Sequence, residues 1–419
     1  MRIFKFGGAS IKDAEGVKNV AKIIQSQMES PLLIVVSAMG KTTNRLEELV
    51  EVFFYNKTEK EAIFQSIKNE HLAIARELFG RDTAAYTDIK NLFMALYAYI
   101  QEEASENYDF EYDQIIAYGE LASSKIVHHY LHRLEFITQW MDARTLVRTD
   151  NTYREGNVDW EKTQRKIRRS IEPIYFEYQK ALVVTQGFIG GTSEGLTTTL
   201  GREGSDFSAA IFGFSLNAES VTIWKDVEGL LNADPRLFSD TIKLTKISYR
   251  EAIELAYYGA SVIHPKTLKP LQNKNIPLYV KSFIAPKEEG SVIGDFEIKR
   301  LVPCYICKKN QVLISISPKD FSFIAEESLS TIFGLFAFFG VKINLMQNSA
   351  LSFSLCVDYK SNIHLLIEEL QTEFFVKYNF DMTLFTIRHY TQQSIQKVTQ
   401  NKLVVLEQKN RSTVQYVVK

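Results

Sequence analysis

The 419-residue chain has little of several things. It contains three cysteines and three tryptophans, and its 49 basic and 50 acidic side chains leave a formal charge of −1. Three cysteines in such a length exclude a disulfide-framed scaffold and point to a reducing compartment, the cytoplasm. Cys304 and Cys307 form a lone CxxC with no second pair, inside an apolar strand-like run at 301–307. Core packing is the expected role, not metal or redox chemistry. Balanced charge without a basic run argues against a nucleic-acid or membrane-surface partner. No apolar run is long enough to span a bilayer. The first residues enter a strand pattern directly and carry no leader signature. There is no zinc-spaced Cys/His cluster, no His-Arg-Asp loop and no Asp-Phe-Gly.

What is present is ordinary globular composition, 45% hydrophobic and 24% charged, at a length that calls for two or more domains. Over 1–297, short apolar runs at 3–6, 32–36, 181–185, 221–224 and 276–280 alternate with helical patterns. The runs are nearly continuous in apolar residues, as strands of a parallel sheet covered on both faces are. Helical patterns begin near Asp13 and cover 113–131 and 249–258, the last ending at Gly259. Residues 42–106 read as a helical insertion. The expected class is α/β, doubly wound, with a mainly parallel sheet sandwiched by helices. Pro286–Gly290 reads as a linker. Over 298–419 the order strand 311–317, helix 323–339, strands 342–346 and 351–358, helix 362–375 and strand 382–389 is βαββαβ, a ferredoxin-like module. Strands at 403–407 and 413–418 follow only a polar stretch, 391–402, as in a second, shortened module.

Ligands of open α/β sheets sit beyond the carboxyl ends of the strands, and four strand or helix segments there carry unusual residues. Lys5 interrupts an apolar strand and needs an anionic partner. Gly7 and Gly8 allow close backbone approach to a ligand, and a helix follows whose free N–H groups favour phosphate. After the second strand comes Ser37-Ala38-Met39-Gly40-Lys41-Thr42-Thr43-Asn44. Gly40-Lys41-Thr42 ends like a Walker A loop, but Val35 stands where that loop needs glycine. Ser37 and Thr43 remain hydroxyl ligands, or Thr43 a helix cap. Gly119 within a helical pattern implies close approach by a ligand or another backbone, beside Glu120, a partner for an ammonium or a solvated carboxylate. The loop 197–206 forms a second anion site at a helix start, with Arg202 able to fork a carboxylate. Asp206 would orient Lys5 or coordinate magnesium. Lys225, Asp226 and Arg236 could line a nucleotide, or Asp234-Pro235 could be a surface turn.

In order, KFGGAS (5–10), VVSAMGKTTN (35–44), YGE (118–120), TQGFIG (185–190), TTTLGREGSD (197–206), WKDVEGLLNADPR (224–236) and YGASVIHPKTL (258–268) resemble the aspartate kinases of the amino-acid-kinase superfamily, whose fold is carbamate-kinase-like. The resemblance implies transfer of the γ-phosphoryl group of MgATP to the β-carboxylate of L-aspartate, and so a place in lysine, threonine, methionine and diaminopimelate biosynthesis. It gives Lys5 and Asp206 catalytic roles. Ser37, Thr43, Glu120 and Arg202 would bind substrate, Glu120 the ammonium and Arg202 the α-carboxylate. Lys5, Phe6, Gly7, Gly8, Ser205, Lys225, Asp226, Leu231 and Arg236 would contact ATP. No metal ligand is assigned. Glu203 stands where many relatives have glycine, Leu231 for a tyrosine, Lys225 for a threonine and Ser261 for a lysine that Lys266 would replace.

The C-terminal part resembles ACT modules that bind end-product amino acids such as lysine or threonine. Asn344 and Ala350 occupy the regulatory positions where lysine-sensitive relatives place acidic residues, so the module is expected chiefly to support a homodimer or higher homo-oligomer. The chain is expected to be monofunctional. A glutamate, acetylglutamate or carbamate kinase, and an amino-acid sensor with a degenerate kinase core, are the competing readings. Arg202→Ala is expected to raise the aspartate KM sharply; wild-type kinetics in that variant would remove Arg202 from the substrate site.

Overall fold

The computed structural model describes residues 1–28, 31–260, 263–297, 301–320 and 322–419. Two compact units are present. The first comprises Met1–Leu230, Lys243–Ile253 and Val262–Glu297, and the second Leu231–Ile242, Glu254–Ser261 and Ile298–Lys419.

The first unit opens with β1 (Arg2–Phe6), a short 3-10 turn (Gly8–Ile11), α1 (Ala14–Gln27) and β2 (Leu32–Val36). Three helices, α2 (Thr42–Phe54), α3 (Lys60–Phe79) and α4 (Ala84–Tyr99), then fill the expected helical insertion. After them come the long α5 (Tyr108–Arg133), β3 (Thr138–Trp140), α6 (Ala143–Leu146) and α7 (Trp160–Glu177). The chain continues through β4 (Leu182–Gln186), β5 (Ile189–Gly191), β6 (Thr197–Thr199), α8 (Gly204–Ser215) and β7 (Ser220–Lys225). It ends with β8 (Lys246–Ser248), α9 (Tyr249–Tyr258), α10 (Pro265–Gln272), β9 (Leu278–Ser282) and β10 (Ser291–Gly294).

Eight strands form one sheet in the order β3-β4-β2-β1-β7-β9-β10-β8. Pairing is parallel except between β9 and β10. All five residues of β2 and of β4 are buried, because helices cover both faces and leave no polar side to alternate with. Apolar side chains of α1, α2, α3 and α5, among them Ile24, Leu46, Phe64 and Ile116, close one face in a single cluster with Phe4, Ile34 and Val184. Pro286–Gly290 is not a linker. It is part of the connection from β9 to β10, whose Ser291 pairs with Val280 in the same sheet, and Gly290 turns the chain there at φ 72°.

The second unit is built on two 15-residue strands, β11 (Cys304–Pro318) and β14 (Phe374–Arg388), paired antiparallel along their length with register shifts between Lys308 and Leu313. Around one half lie α11 (Glu326–Phe338), β12 (Ile343–Asn348), β13 (Phe353–Asp358) and α12 (Ile363–Glu373). Their core joins Val312 and Ile314 to Ile332, Phe336 and Leu366. Around the other half lie α13 (Gln392–Thr399), β15 (Val404–Lys409) and β16 (Thr413–Val418). The sheet order is β12-β13-β11-β14-β16-β15, so two ferredoxin-like modules share one sheet.

Two expected boundaries move here. The strand placed at 382–389 begins at Phe374, directly after α12, because the exposed edge residues 375–381 still pair with β11. The polar stretch 391–402 contains α13. Only Ile395 and Val398 face the core there, too few to print a helical period, and the helix is started by a Thr391–Ser394 capping box instead. Cys304, Cys307 and Cys356 form no disulfide among the described residues, and burial raises the Cys307 thiol above its ordinary value.

Gly187 shows how tightly the end of β4 meets the start of α8. A Cβ there would lie 2.6 Å from Ser205 Cβ and 2.8 Å from Ser205 Cα. Gly187→Ala is expected to destabilise the protein by about 1–3 kcal/mol, read as a lower denaturant midpoint; an unchanged midpoint would contradict this packing.

Candidate active site

At the carboxyl end of β1, Lys5 lies between Val35 of β2 and Ile223 of β7 in the sheet register. Its ammonium sits 2.6 Å from Asp206 Oδ1, and Lys225 Nζ sits 3.3 Å from Asp206 Oδ2. Burial by itself would raise the Asp206 carboxyl. The two ammonium groups outweigh it, Lys5 first, and hold that carboxyl below its ordinary value. Two ammonium groups thus gather around one buried carboxylate at the mouth of the sheet, a setting that favours an anionic ligand.

Gly8 brings the backbone after β1 against the loop after β2. A Cβ at Gly8 would meet Ala38 O at 2.6 Å, and Gly40 N donates to Gly8 O at 3.0 Å. The first turn of α8 completes this end. Gly201 through Ser205 all line the cleft, and the free N–H groups of the helix start point where anions are favoured. Glu203, before the first helical residue, has φ 55°. This left-handed geometry explains why glycine suits the position. Its carboxylate accepts the His264 N–H at 2.9 Å.

The other end is set by α5. Gly119 lies 3.0 Å, at the position of a Cβ, from the Ala38 and Leu46 side chains. The close approach is therefore side-chain packing, not a ligand or a backbone. It seats Glu120 inside the cleft wall, 3% exposed. Among the described residues Glu120 Oε2 has no hydrogen-bond partner. Burial pushes its carboxyl up to about 8, against hydrogen bonds from backbone amides that include Ala38. A buried acceptor without a donor is costly, and a ligand ammonium would satisfy it.

One cleft of about 750 Å³ therefore gathers Lys5, Gly8, Ser37, Thr43, Glu120, Arg202, Ser205, Asp206 and Lys225. Other expected contacts lie elsewhere. Phe6 turns into the core, stacked on Trp224 at 6.0 Å, and Gly7 does not line the cleft. Asp226 follows β7 in an exposed bend, and Lys266, on α10, is also absent from the lining. Leu231 and Arg236 belong to the second unit. Arg236 is exposed and forked onto Asp234, with contacts of 2.7 and 3.0 Å. That is the surface turn that Asp234-Pro235 suggested. Ser261 lies outside the described residues.

Residues 1–282 match the amino acid kinase family. The lysine-sensitive aspartokinase 3 of Escherichia coli is 30% identical over 361 residues, covering 85% of this chain and 78% of that protein. The chain belongs to the aspartokinases. Its fold also matches the crystal structure of Escherichia coli aspartokinase III with aspartate and ADP, at TM-score 0.84 and 25% identity over the whole of this chain and 96% of that one. The same relative's complex with lysine and aspartate matches at TM-score 0.85 and 26% identity, with the same coverage. A chloroplast bifunctional aspartokinase/homoserine dehydrogenase of Arabidopsis thaliana is 29% identical over 390 residues, 89% of this chain. The chain spans only about two fifths of that relative, and about a third of two maize relatives of the same bifunctional kind.

In this aspartokinase the cleft also contains residues with no sequence signal. Tyr112 and Arg154 line it, yet neither sits in a glycine-rich strand end; Thr199, from the 197–206 loop, joins them. Asp113 holds two of them. Its carboxylate accepts the Arg154 N–H at 2.9 Å, the Thr199 N–H at 2.9 Å and the Thr199 hydroxyl at 2.7 Å. Burial nevertheless pushes Asp113 up to about 6, against those hydrogen bonds.

The raised Glu120 carboxyl has a defined sign. The folded chain keeps that proton up to about 8, and an unfolded chain loses it near the ordinary glutamate value. The folded state therefore binds more protons across this window, and stability falls as pH rises from about 4.5 to 8. In Glu120→Gln the loss of stability between pH 5 and 8 is expected to be smaller by at least ~1.4 kcal/mol, the equivalent of one pKa unit. Denaturant curves at the two pH values read this; equal slopes in both proteins would refute the buried, unpartnered carboxylate.

Proposed function

We propose that the chain is an aspartate kinase that transfers the γ-phosphoryl group of MgATP to the β-carboxylate of L-aspartate, giving 4-phospho-L-aspartate and ADP. The observation that carries the reading is the buried Glu120 carboxyl, whose Oε2 has no hydrogen-bond partner among the described residues, in the same cleft as the Lys5–Asp206–Lys225 cluster. One end suits an ammonium and the other suits phosphates. Arg202 adds a fork for the α-carboxylate, with Ser37 and Thr43 beside the acceptor. A β-carboxylate oxygen forms the new O–P bond as the bond from the γ-phosphorus to ADP breaks, with no proton to move. The chain's task is then positioning and charge neutralisation. Lys5 and the N–H groups of α8 supply the second.

Magnesium enters as part of the nucleotide substrate. Both Asp206 oxygens face lysine ammonium groups, and no cluster of three or more metal-ligating side chains occurs among the described residues, so the metal is held through phosphate oxygens. The complex of the Escherichia coli relative with aspartate and ADP supports the substrate pair.

The relative's lysine complex raises an effector reading for the ACT-like unit. Here the Asn344 amide is already committed. It donates to Gln311 Oε1 at 2.8 Å and to Asp358 Oδ1 at 2.9 Å, and accepts from Lys308 at 2.8 Å. Ala350 gives its carbonyl to the Ile324 N–H at 3.1 Å. Neither side chain is acidic, and each of these oxygens already accepts a hydrogen bond, which favours a unit that acts chiefly in homodimer or higher assembly. The exposed Phe323, Phe338 and Met346 suit that role.

A hydroxamate assay with MgATP is expected to trap acyl phosphate from L-aspartate and not from L-glutamate, with millimolar lysine changing the rate less than twofold. Product only from glutamate would overturn the substrate, and strong lysine inhibition would overturn the effector reading.

A further inference from the structure

Arg154 stands in the cleft without a role in the scheme above. It has φ 66°, a backbone state that side chains other than asparagine and glycine seldom take. The surroundings hold it there. Asp113 takes its N–H, and the next turn is tied to β6 by the Gly156 N–H donating to Thr199 O at 2.8 Å. Its carbonyl lies 3.4 Å from the Cβ position of Gly201, the residue before Arg202. The loop of Arg154 and the loop of Arg202 are thus fastened to each other.

The guanidinium lies 4.3 Å from the centre of the Tyr112 ring. Tyr112 and Glu120 both belong to α5, and both line the cleft with Arg154, so Arg154 stands at the α5 wall that holds Glu120. Its anionic partners are weak. Asp109 is 3.3 Å away and Glu47 3.8 Å away, both half exposed, with Arg154 itself 42% exposed. Exposed pairs of this kind hold a side chain loosely and yield to a better-placed anion.

An amino acid whose ammonium meets Glu120 carries its α-carboxylate on the same carbon. A cation at this end therefore addresses that carboxylate. We propose that Arg154 is a second guanidinium for the acceptor's α-carboxylate, acting with Arg202 to select an acceptor that bears one. The proposal rests on the aspartate-kinase reading.

The test compares wild type, Arg154→Gly and Arg154→Lys in the full chain with saturating MgATP. Glycine is free to adopt φ 66°, so the first variant removes the guanidinium without straining the backbone, and its melting temperature checks this. The aspartate KM is expected to rise about tenfold in Arg154→Gly, with kcat and the ATP KM less affected and Arg154→Lys intermediate. With the α-amide of L-aspartate as acceptor or competitor, the same variant is expected to lose less than twofold. An unchanged aspartate KM, or equal losses for both compounds, overturns the proposal.

Equilibrium binding of L-aspartate separates the two readings. If the wild type traps no acyl phosphate but Arg154→Gly still weakens aspartate binding, the kinase reading falls and Arg154 keeps its role. If the wild type binds no aspartate, both fall.

Discussion

The ion pair between Lys5 and Asp206 is the contact on which the cleft depends. Lys5 comes from the middle strand of the sheet and Asp206 from the first turn of α8, 201 residues later. A lysine pointing out of an apolar strand with no partner would cost more than the strand's packing returns. The carboxylate makes the strand tolerable, and the strand brings the carboxylate to the sheet's carboxyl edge. Lys225, from the neighbouring β7, then shares that anion. The cluster binds its own parts together and gathers two ammonium groups at one strand mouth, which suits a phosphate site.

At the opposite end what is missing is a hydrogen-bond partner. Glu120 is buried with an unfilled oxygen among the described residues, and its raised carboxyl records the cost of keeping it there. A cleft that gathers lysines at one end and an unsatisfied buried carboxyl at the other is matched to an amino acid approaching a nucleotide. Neither arrangement serves the stability of the empty protein. Both are the kind of local conflict that a folded chain tolerates where a ligand resolves it.

Much of this is legible in the order of residues. The apolar runs at 32–36 and 221–224 could be little but buried parallel strands. The glycines after β1 and in the 201–204 loop mark where the backbone must come close to something. Those signals are local, set by φ, by the absence of a Cβ and by the period of burial. Tyr112, Asp113 and Arg154 carry no such signal, because they sit in a helix interior and an undistinguished polar loop. Their role comes from hydrogen bonds across 41 and 86 positions of sequence. Phe6, Asp226 and Arg236 show the converse, that a motif does not by itself say where a side chain points. They lie within matching motifs, but alternation along the strand sends Phe6 inward, and the turn at 234–236 satisfies its own arginine.

The amino-acid sequence alone determined the alternation of strands and helices, the glycine-bearing phosphate end and the family to which the chain belongs, because each is written in contiguous residues. Only the tertiary structure decided that Lys225 joins Lys5 on Asp206, that one oxygen of the buried Glu120 is left unfilled among the described residues, and that Arg154 faces the same cleft as Arg202. These are relations between distant segments, and their energies depend on burial and distance, which exist only once the sheet has brought its strand ends together.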